Sequence, residues 1–153
     1  MSTNTIADVA SVDVKELVEK LNFAEKVERS LGLIERAYQQ YGERLVVANS
    51  LGKDSSVVWH LAKRVSADIR GFIVTTRFKP VETKQFMAEE VARHPELRVF
   101  SNDEEIPDKL YATDPDRCCE ILKVKPTRQA VREMNVACWV TAVSYTHLTL
   151  PTN

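Results

Sequence analysis

The chain has 153 residues, enough for one domain with its own apolar core, and is 44% hydrophobic and 28% charged, an ordinary globular composition. A formal net charge of −1 leaves no global positive field to draw in nucleic acid or anionic lipid, so any anion site must be local. No apolar run reaches transmembrane length, and the first fourteen residues lack the basic and apolar regions of a secretory signal. The three cysteines, two of them adjacent, do not form a secreted disulfide framework. A cytoplasmic protein with no nucleic-acid or membrane partner is expected.

In chain order, Val14, Leu17, Val18 and Leu21 predict a short first helix. Val27, Leu31, Ile34, Tyr38 and Tyr41, spaced by three and four, predict a second. Asn22 and Glu25 read as its capping box and Gly42 as its stop. Leu45-Val46-Val47-Ala48 reads as a buried strand, and Val57, Val58, Leu61, Ala62 and Val65 as the stripe of a following helix. A strand over Ile69 to Thr76 comes next. A helix then opens near Pro80 and carries Phe86, Met87 and Val91, followed by a short strand over Leu97 to Phe100. Ser101 to Arg117 reads mostly as loop, Thr127 to Met134 as helix and Ala137 to Thr141 as a fourth strand. Strands alternating with helices predict an α/β fold: a parallel sheet with helices on both faces, preceded by N-terminal helices. The expected division is a helical segment over 1–43, a nucleotide-binding α/β domain over 44–143, and a tail over 144–153 that fits no element of the pattern.

Ser50-Leu51-Gly52-Lys53-Asp54-Ser55 joins the first strand to its helix. A helix N-terminus offers free N–H groups and partial positive charge. Gly52 allows close backbone approach, Lys53 adds a cation, Ser50, Ser55 and Ser56 offer hydroxyls, and Asp54 or Ser55 can cap the helix. Ligands of parallel α/β sheets sit at such strand ends. A Walker A loop would need Gly at Val47 and Ser or Thr at Asp54, and the dinucleotide fingerprint would need three clustered glycines, which Gly32, Gly42, Gly52 and Gly71 are not. The competing account is a plain strand-to-helix turn; the strand before it and the helix after it favour phosphate binding. The loop resembles that of the adenine nucleotide α-hydrolase-like superfamily, a Rossmann-like group. It includes ATP pyrophosphatases, the small subunit of sulfate adenylyltransferase, and the reductases of adenylyl sulfate (APS) and phosphoadenylyl sulfate (PAPS).

Asp116-Arg117-Cys118-Cys119 continues through Glu120 to Lys125-Pro126. A bridge between neighbouring cysteines closes a strained ring and is not expected. Arg117, Lys123 and Lys125 make an electropositive setting that favours thiolate and metal or cluster ligation. From the residues alone, ligation and two unpaired structural cysteines are equally good accounts. The pair followed by Leu122-Lys123-Val124-Lys125-Pro126 resembles the first half of the iron–sulfur site of assimilatory APS/PAPS reductases. Val74 through Thr83 resembles the segment after that family's second strand, with Thr75 and Arg77 departing from its usual Asp and Gly. This resemblance implies that Cys118 and Cys119 supply two ligands of a [4Fe–4S] cluster in the full-length protein, and that a later Cys-x-x-Cys supplies the others. It sets Lys123 between cluster and substrate, with an electrostatic role. It implies that Ser50, Gly52, Lys53, Asp54, Ser55 and Ser56 hold the nucleotide, with Thr76 and Glu82 lining the site.

The implied activity is thiol-dependent reduction of APS or PAPS to sulfite in sulfate assimilation. Thioredoxin or glutathione/glutaredoxin would be the reductant, and a homo-oligomer is compatible with the family. The family's nucleophilic cysteine, in a Glu-Cys-Gly motif, has no counterpart in the sequence, so no catalytic nucleophile is expected here and the chain alone is expected to be inactive. Ser144 to Asn153 resembles translated linker read-through and is expected to be foreign. The alternatives are an ATP pyrophosphatase or sulfate adenylyltransferase small-subunit-like enzyme, which Lys53 suits, and a nucleotide-binding fragment without catalysis. Cys138 and Trp139 read as core, and His60, His94 and His147 are too dispersed for a metal site.

Overall fold

The computed structural model describes residues 19–142. The expected helix over Val14 to Leu21 and the tail after Ala142 lie largely or wholly outside them.

Helix α1, Phe23–Tyr41, begins on the expected capping box: the Asn22 side chain accepts from the Glu25 N–H, and Glu25 Oε2 accepts from the Asn22 N–H at 2.7 Å. It ends at Gly42, whose φ of 52° is left-handed backbone that glycine adopts without steric cost. Strand β1, Leu45–Ala48, leads into α2, Lys53–Val65; β2, Arg70–Val74, leads into α3, Val81–Arg93, and then β3, Leu97–Phe100. The stretch 101–117, expected to be mostly loop, has no helix as far as Lys109 and then carries two short ones, α4, Leu110–Thr113, and α5, Pro115–Cys119. Local chemistry accounts for the second. Pro115 stands at the first helical position, where its missing N–H costs nothing, and Asp114 Oδ1 accepts from the Arg117 N–H at 3.0 Å.

A π-helical turn, Glu120–Val124, joins α5 to α6, Lys125–Glu133, before strand β4, Cys138–Val140. Pro126 explains the turn: it has no N–H to return to the preceding helical turn, and its ring crowds the carbonyl there. Neighbours take up carbonyls of this stretch. Asn102 Nδ2 donates to Ile121 O at 3.0 Å, and Thr127 Oγ1 donates to Lys123 O at 2.7 Å.

The four strands are all parallel, in the order β3-β2-β1-β4. Alternation along β1 sorts the core. Leu45 and Val47 face α1 and α2, with Ile34, Ala37, Trp59 and Ala62, whereas Val46 faces α6, with Phe72, Phe100, Ala130 and Met134. Helices therefore cover both faces, as the pattern predicts. Gly71, the second residue of β2, lies beneath Trp59 on the first face.

Lys63 of α2 pairs with Glu96 just before β3, and its ammonium sits 5.0 Å from the Trp59 ring centroid. Burial raises the Glu96 carboxyl pKa, but hydrogen bonds from Lys63 and from its own backbone, with the charges of Lys63 and His94, outweigh it and hold the carboxyl below its ordinary value. A carboxyl depressed in the folded state stabilises the fold above its unfolded pKa, and that stabilisation is lost as pH falls through the folded value. Glu96→Gln is therefore expected to cost about 0.5–1 kcal/mol near neutrality and to reduce the loss of stability on acidification. Urea midpoints taken from about pH 7 to about pH 3 measure it.

Candidate functional site

The order β3-β2-β1-β4 reverses direction at β1, and the crevice beyond the carboxyl ends of β1 and β4 is where such sheets take ligands. A cavity of about 340 Å³ opens there, lined by Asn49, Ser50 and Ser55 on one side and by Phe72, Thr127 and Trp139 on the other. The loop after β1 is built around Asn49, a residue whose role the sequence reading did not anticipate. Asn49 is 3% exposed. Its Oδ1 accepts from the Leu51 N–H at 2.8 Å and from Ser55 Oγ at 3.1 Å, and its own N–H donates to Phe72 O at 2.9 Å. A buried Asn accepting from the N–H two residues on is a local turn device, and that is the signal that could have marked it.

The left-handed residue of the loop is Leu51, with φ of 65°, a feature the sequence did not announce. A non-glycine residue held there costs roughly 1–2 kcal/mol, which the paired Asn49 contacts offset. Gly52 is extended, at φ −80° and ψ 165°, and a Cβ on it would meet only Ser50 Oγ at 3.5 Å. Among the described residues nothing requires glycine at this position, and its exposed face is left open. The expected cap by Asp54 or Ser55 is also corrected. Gly52 is the N-cap and no side chain caps the helix. Ser55 Oγ instead turns to Gly52 O at 3.0 Å, to Asn49, and to Ser50 Oγ at 3.1 Å. The first N–H groups of α2 are thus free of side-chain partners, as an incoming oxyanion requires. Lys53 and Asp54 are exposed in this first turn and Ser56 is half-buried.

A second cavity, of about 840 Å³, lies beside α5 and the π turn. Cys118, Cys119, Leu122 and Lys123 line it together, because spacings of four set Cys118 with Leu122, and Cys119 with Lys123, on one helical face. Thr76 and Phe78, from the segment after β2, form another wall. The positive charge around the thiols differs from the sequence reading. Lys123 is there, but Lys125 is turned to Glu104 at 2.7 Å and Arg117 does not line the cavity; Arg77 and Lys109 do. The Lys125 hydrogen bond, with one from Asn102, keeps the Glu104 carboxyl below its usual pKa. Arg77 is held across the mouth by donating to Glu104 O.

Of the residues expected to share one site, Ser50 and Ser55 line the smaller cavity, Thr76, both cysteines and Lys123 line the larger, and Gly52, Lys53, Asp54 and Ser56 line neither. Glu82, exposed in the first turn of α3, lines neither. Val74 lines the first cavity and Thr76 the second, so only Thr75 separates them along the exit from β2. Trp139, read as core from the sequence, is 45% exposed and stands 6.0 Å from the Phe72 ring as a wall of the smaller cavity. Cys118 and Cys119 are free thiols, one half-buried and one exposed, which suits a ligating pair. Cys138 packs against the α1 and α2 side of the sheet, and burial pushes its thiol pKa up, so it does not extend that pair. Among the described residues no cluster of three or more metal-ligating side chains occurs, and no helix is long and apolar enough to cross a membrane.

Comparison with known proteins agrees with this architecture. An adenosine 5′-phosphosulfate reductase of Geobacillus thermodenitrificans is 28% identical over 139 residues, covering 84% of this chain and 58% of the relative. A phosphoadenosine 5′-phosphosulfate reductase of Synechococcus is 30% identical over 122 residues, covering 72% and 53%. The chain thus spans a little over half the length of these relatives. The crystal structure of phosphoadenylyl-sulfate reductase from Candida auris superposes with a TM-score of 0.62 at 13% identity, over 81% of this chain and 69% of that one. At that identity the likeness speaks for the fold, which is adenine nucleotide α-hydrolase-like. The phosphoadenosine phosphosulfate reductase domain matches residues 44–143, a stretch that holds the whole sheet, the Asn49-braced loop and the paired cysteines, and the chain belongs to that family.

Proposed function

We propose that this chain carries the nucleotide-binding core of a reductase that converts adenylyl sulfate or phosphoadenylyl sulfate to sulfite in sulfate assimilation. One juxtaposition supports the reading most. Cys118, Cys119 and Lys123 line a single cavity with Thr76, beside the loop whose helix N–H groups have no side-chain cap. The nucleotide phosphate takes the loop, and Lys123 supplies a cation toward the sulfate end. In the reaction a cysteine thiolate attacks the sulfonyl sulfur. The S–O bond breaks with its electron pair leaving on the phosphate oxygen of AMP, or of adenosine bisphosphate, and a cysteine S-sulfonate remains. A thiol of thioredoxin, glutathione or glutaredoxin then forms a disulfide with that cysteine and frees sulfite. The attacking cysteine, in a Glu-Cys-Gly context, is not among these 153 residues.

Cys118 and Cys119 fit two ligands of a [4Fe–4S] cluster, with the remaining two outside this chain. When bound, the cluster would add its charge beside Lys123. The test is anaerobic assay of the full-length protein for iron, acid-labile sulfide and sulfite release from APS and PAPS. Cys118→Ser/Cys119→Ser is expected to lower bound iron at least tenfold; undiminished iron removes the ligand role. Pyrophosphate release from ATP, with no iron bound, would instead favour an ATP pyrophosphatase, for which Lys53 in the loop speaks.

A further inference from the structure

Asn49 has one more group than the loop uses. Leu51 N–H can only donate, so the oxygen of the Asn49 amide must face it, and this fixes which end of the side chain points where. The Nδ2 end is thereby turned away from Leu51. Asn49 lines the 340 Å³ cavity, and among the described contacts Nδ2 donates to no protein group. Among the described residues, Trp59 Nε1 and Arg70 Nε are the side-chain polar atoms that are sealed from solvent without a partner; Asn49 Nδ2 is not one of them, so its two N–H donors stay open to the cavity and to whatever enters it. Ser50, in the loop before α2, and Ser55, within its uncapped first turn, line the same cavity.

We infer that Asn49 Nδ2 is a specificity donor to a phosphate oxygen of the bound nucleotide, and that the same side chain, through Oδ1, sets the loop geometry that presents the helix N–H groups. This rests on the nucleotide-binding reading above. The amide couples the two jobs. A residue able only to accept would hold Leu51 and Ser55 but could not donate to the anion, and a residue unable to accept would release the left-handed Leu51.

Three measurements on the 153-residue chain test it, with AMP and adenosine as the titrants. Asn49→Asp keeps an acceptor toward Leu51 N–H and replaces the donor by a carboxylate oxygen. The expected result is a thermal midpoint close to that of the parent chain, AMP affinity at least tenfold weaker and adenosine affinity within about twofold of the parent, as one lost charge-assisted hydrogen bond implies. Asn49→Ala is expected to lower the midpoint as well, because Leu51 N–H loses its acceptor and Ser55 Oγ, losing one, keeps Gly52 O. Charge repulsion alone could weaken the Asp variant, so the parent chain gives the direct readout. The Asn49 side-chain NH₂ resonances, assigned by their disappearance in the Asp variant, should include one proton that moves downfield on adding AMP and not on adding adenosine. Unmoved resonances with AMP bound, or equal losses for AMP and adenosine, overturn the donor assignment while leaving nucleotide binding intact. Absence of AMP binding by the folded parent chain removes the underlying reading instead.

Discussion

Gly52→Val is expected to abolish measurable AMP or APS binding, by at least about 100-fold or roughly 2.7 kcal/mol, while the chain stays folded. The separation of the two effects is what makes the experiment informative. Gly52 is extended, a conformation open to valine, and its Cβ would meet only Ser50 Oγ at an ordinary 3.5 Å. Stability should therefore fall by no more than about 1 kcal/mol, the cost of a poor N-cap residue. Binding has no such tolerance. A phosphate that accepts from the N–H groups of Lys53, Asp54 and Ser55 must approach the backbone within about 3 Å, and a branched side chain occupies that approach. Titration calorimetry with AMP, beside a thermal melt, reads both quantities. Undiminished affinity in a folded variant would refute a phosphate role for the loop.

Gly71→Val is the opposite case, with a large effect on the fold and none specific to the ligand. A Cβ there would lie 2.7 Å from Trp59 Cζ3, 2.9 Å from Leu97 Cδ1 and 3.1 Å from the Val47 carbonyl oxygen. The two side chains belong to the packed face of the sheet, and the carbonyl belongs to the neighbouring strand, so none can yield without disturbing another. Overpacking of this kind costs about 1–3 kcal/mol for the first methyl, and valine adds two more carbons. A loss of about 3 kcal/mol or more, or about 6–12 °C in melting midpoint, is expected, and chemical denaturation measures it. A midpoint within 2 °C of the parent, on the same scale, would mean that Trp59 can leave its place above β2.

The sheet was legible because its signals are local and strong. Leu45 to Ala48 is a short apolar run bounded by polar residues, Leu97 to Phe100 is a short run apolar but for Arg98, and both form strands with the expected limits. The capping box at Asn22 declared α1 in the same way. The short helices between residues 110 and 124 were not legible, because helix formation there depends on Asp114 reaching the Arg117 N–H and on Pro126 displacing a turn, not on an apolar stripe. The site was half legible. Ser50, Ser55, Cys118, Cys119 and Lys123 carry chemistry that their residue types announce. Asn49, Arg77 and Trp139 do not. Their parts come from the turn held at Leu51, from the carbonyl of Glu104 across the mouth, and from the exposed outer position of β4. Lys125, which sequence proximity would set beside the thiols, is drawn off by a carboxylate 21 residues away.

The strand order has a temporal consequence during synthesis. β1 pairs with β2 in register Val46 to Arg70, but with β4 in register Val46 to Trp139, about 90 residues further along the chain. The loop after β1 leaves the ribosome early, whereas the wall opposite it, Trp139 and Thr141, is translated last among the cavity's parts. At about 5–20 residues per second the nascent chain spends roughly 5–20 s with the β1 edge unpaired on that side. The loop after β1 therefore exists as a turn well before it has a pocket. Nucleotide cannot stabilise the early intermediate through this cavity, and the open β1 edge is the place where a holding chaperone or a stray strand would compete.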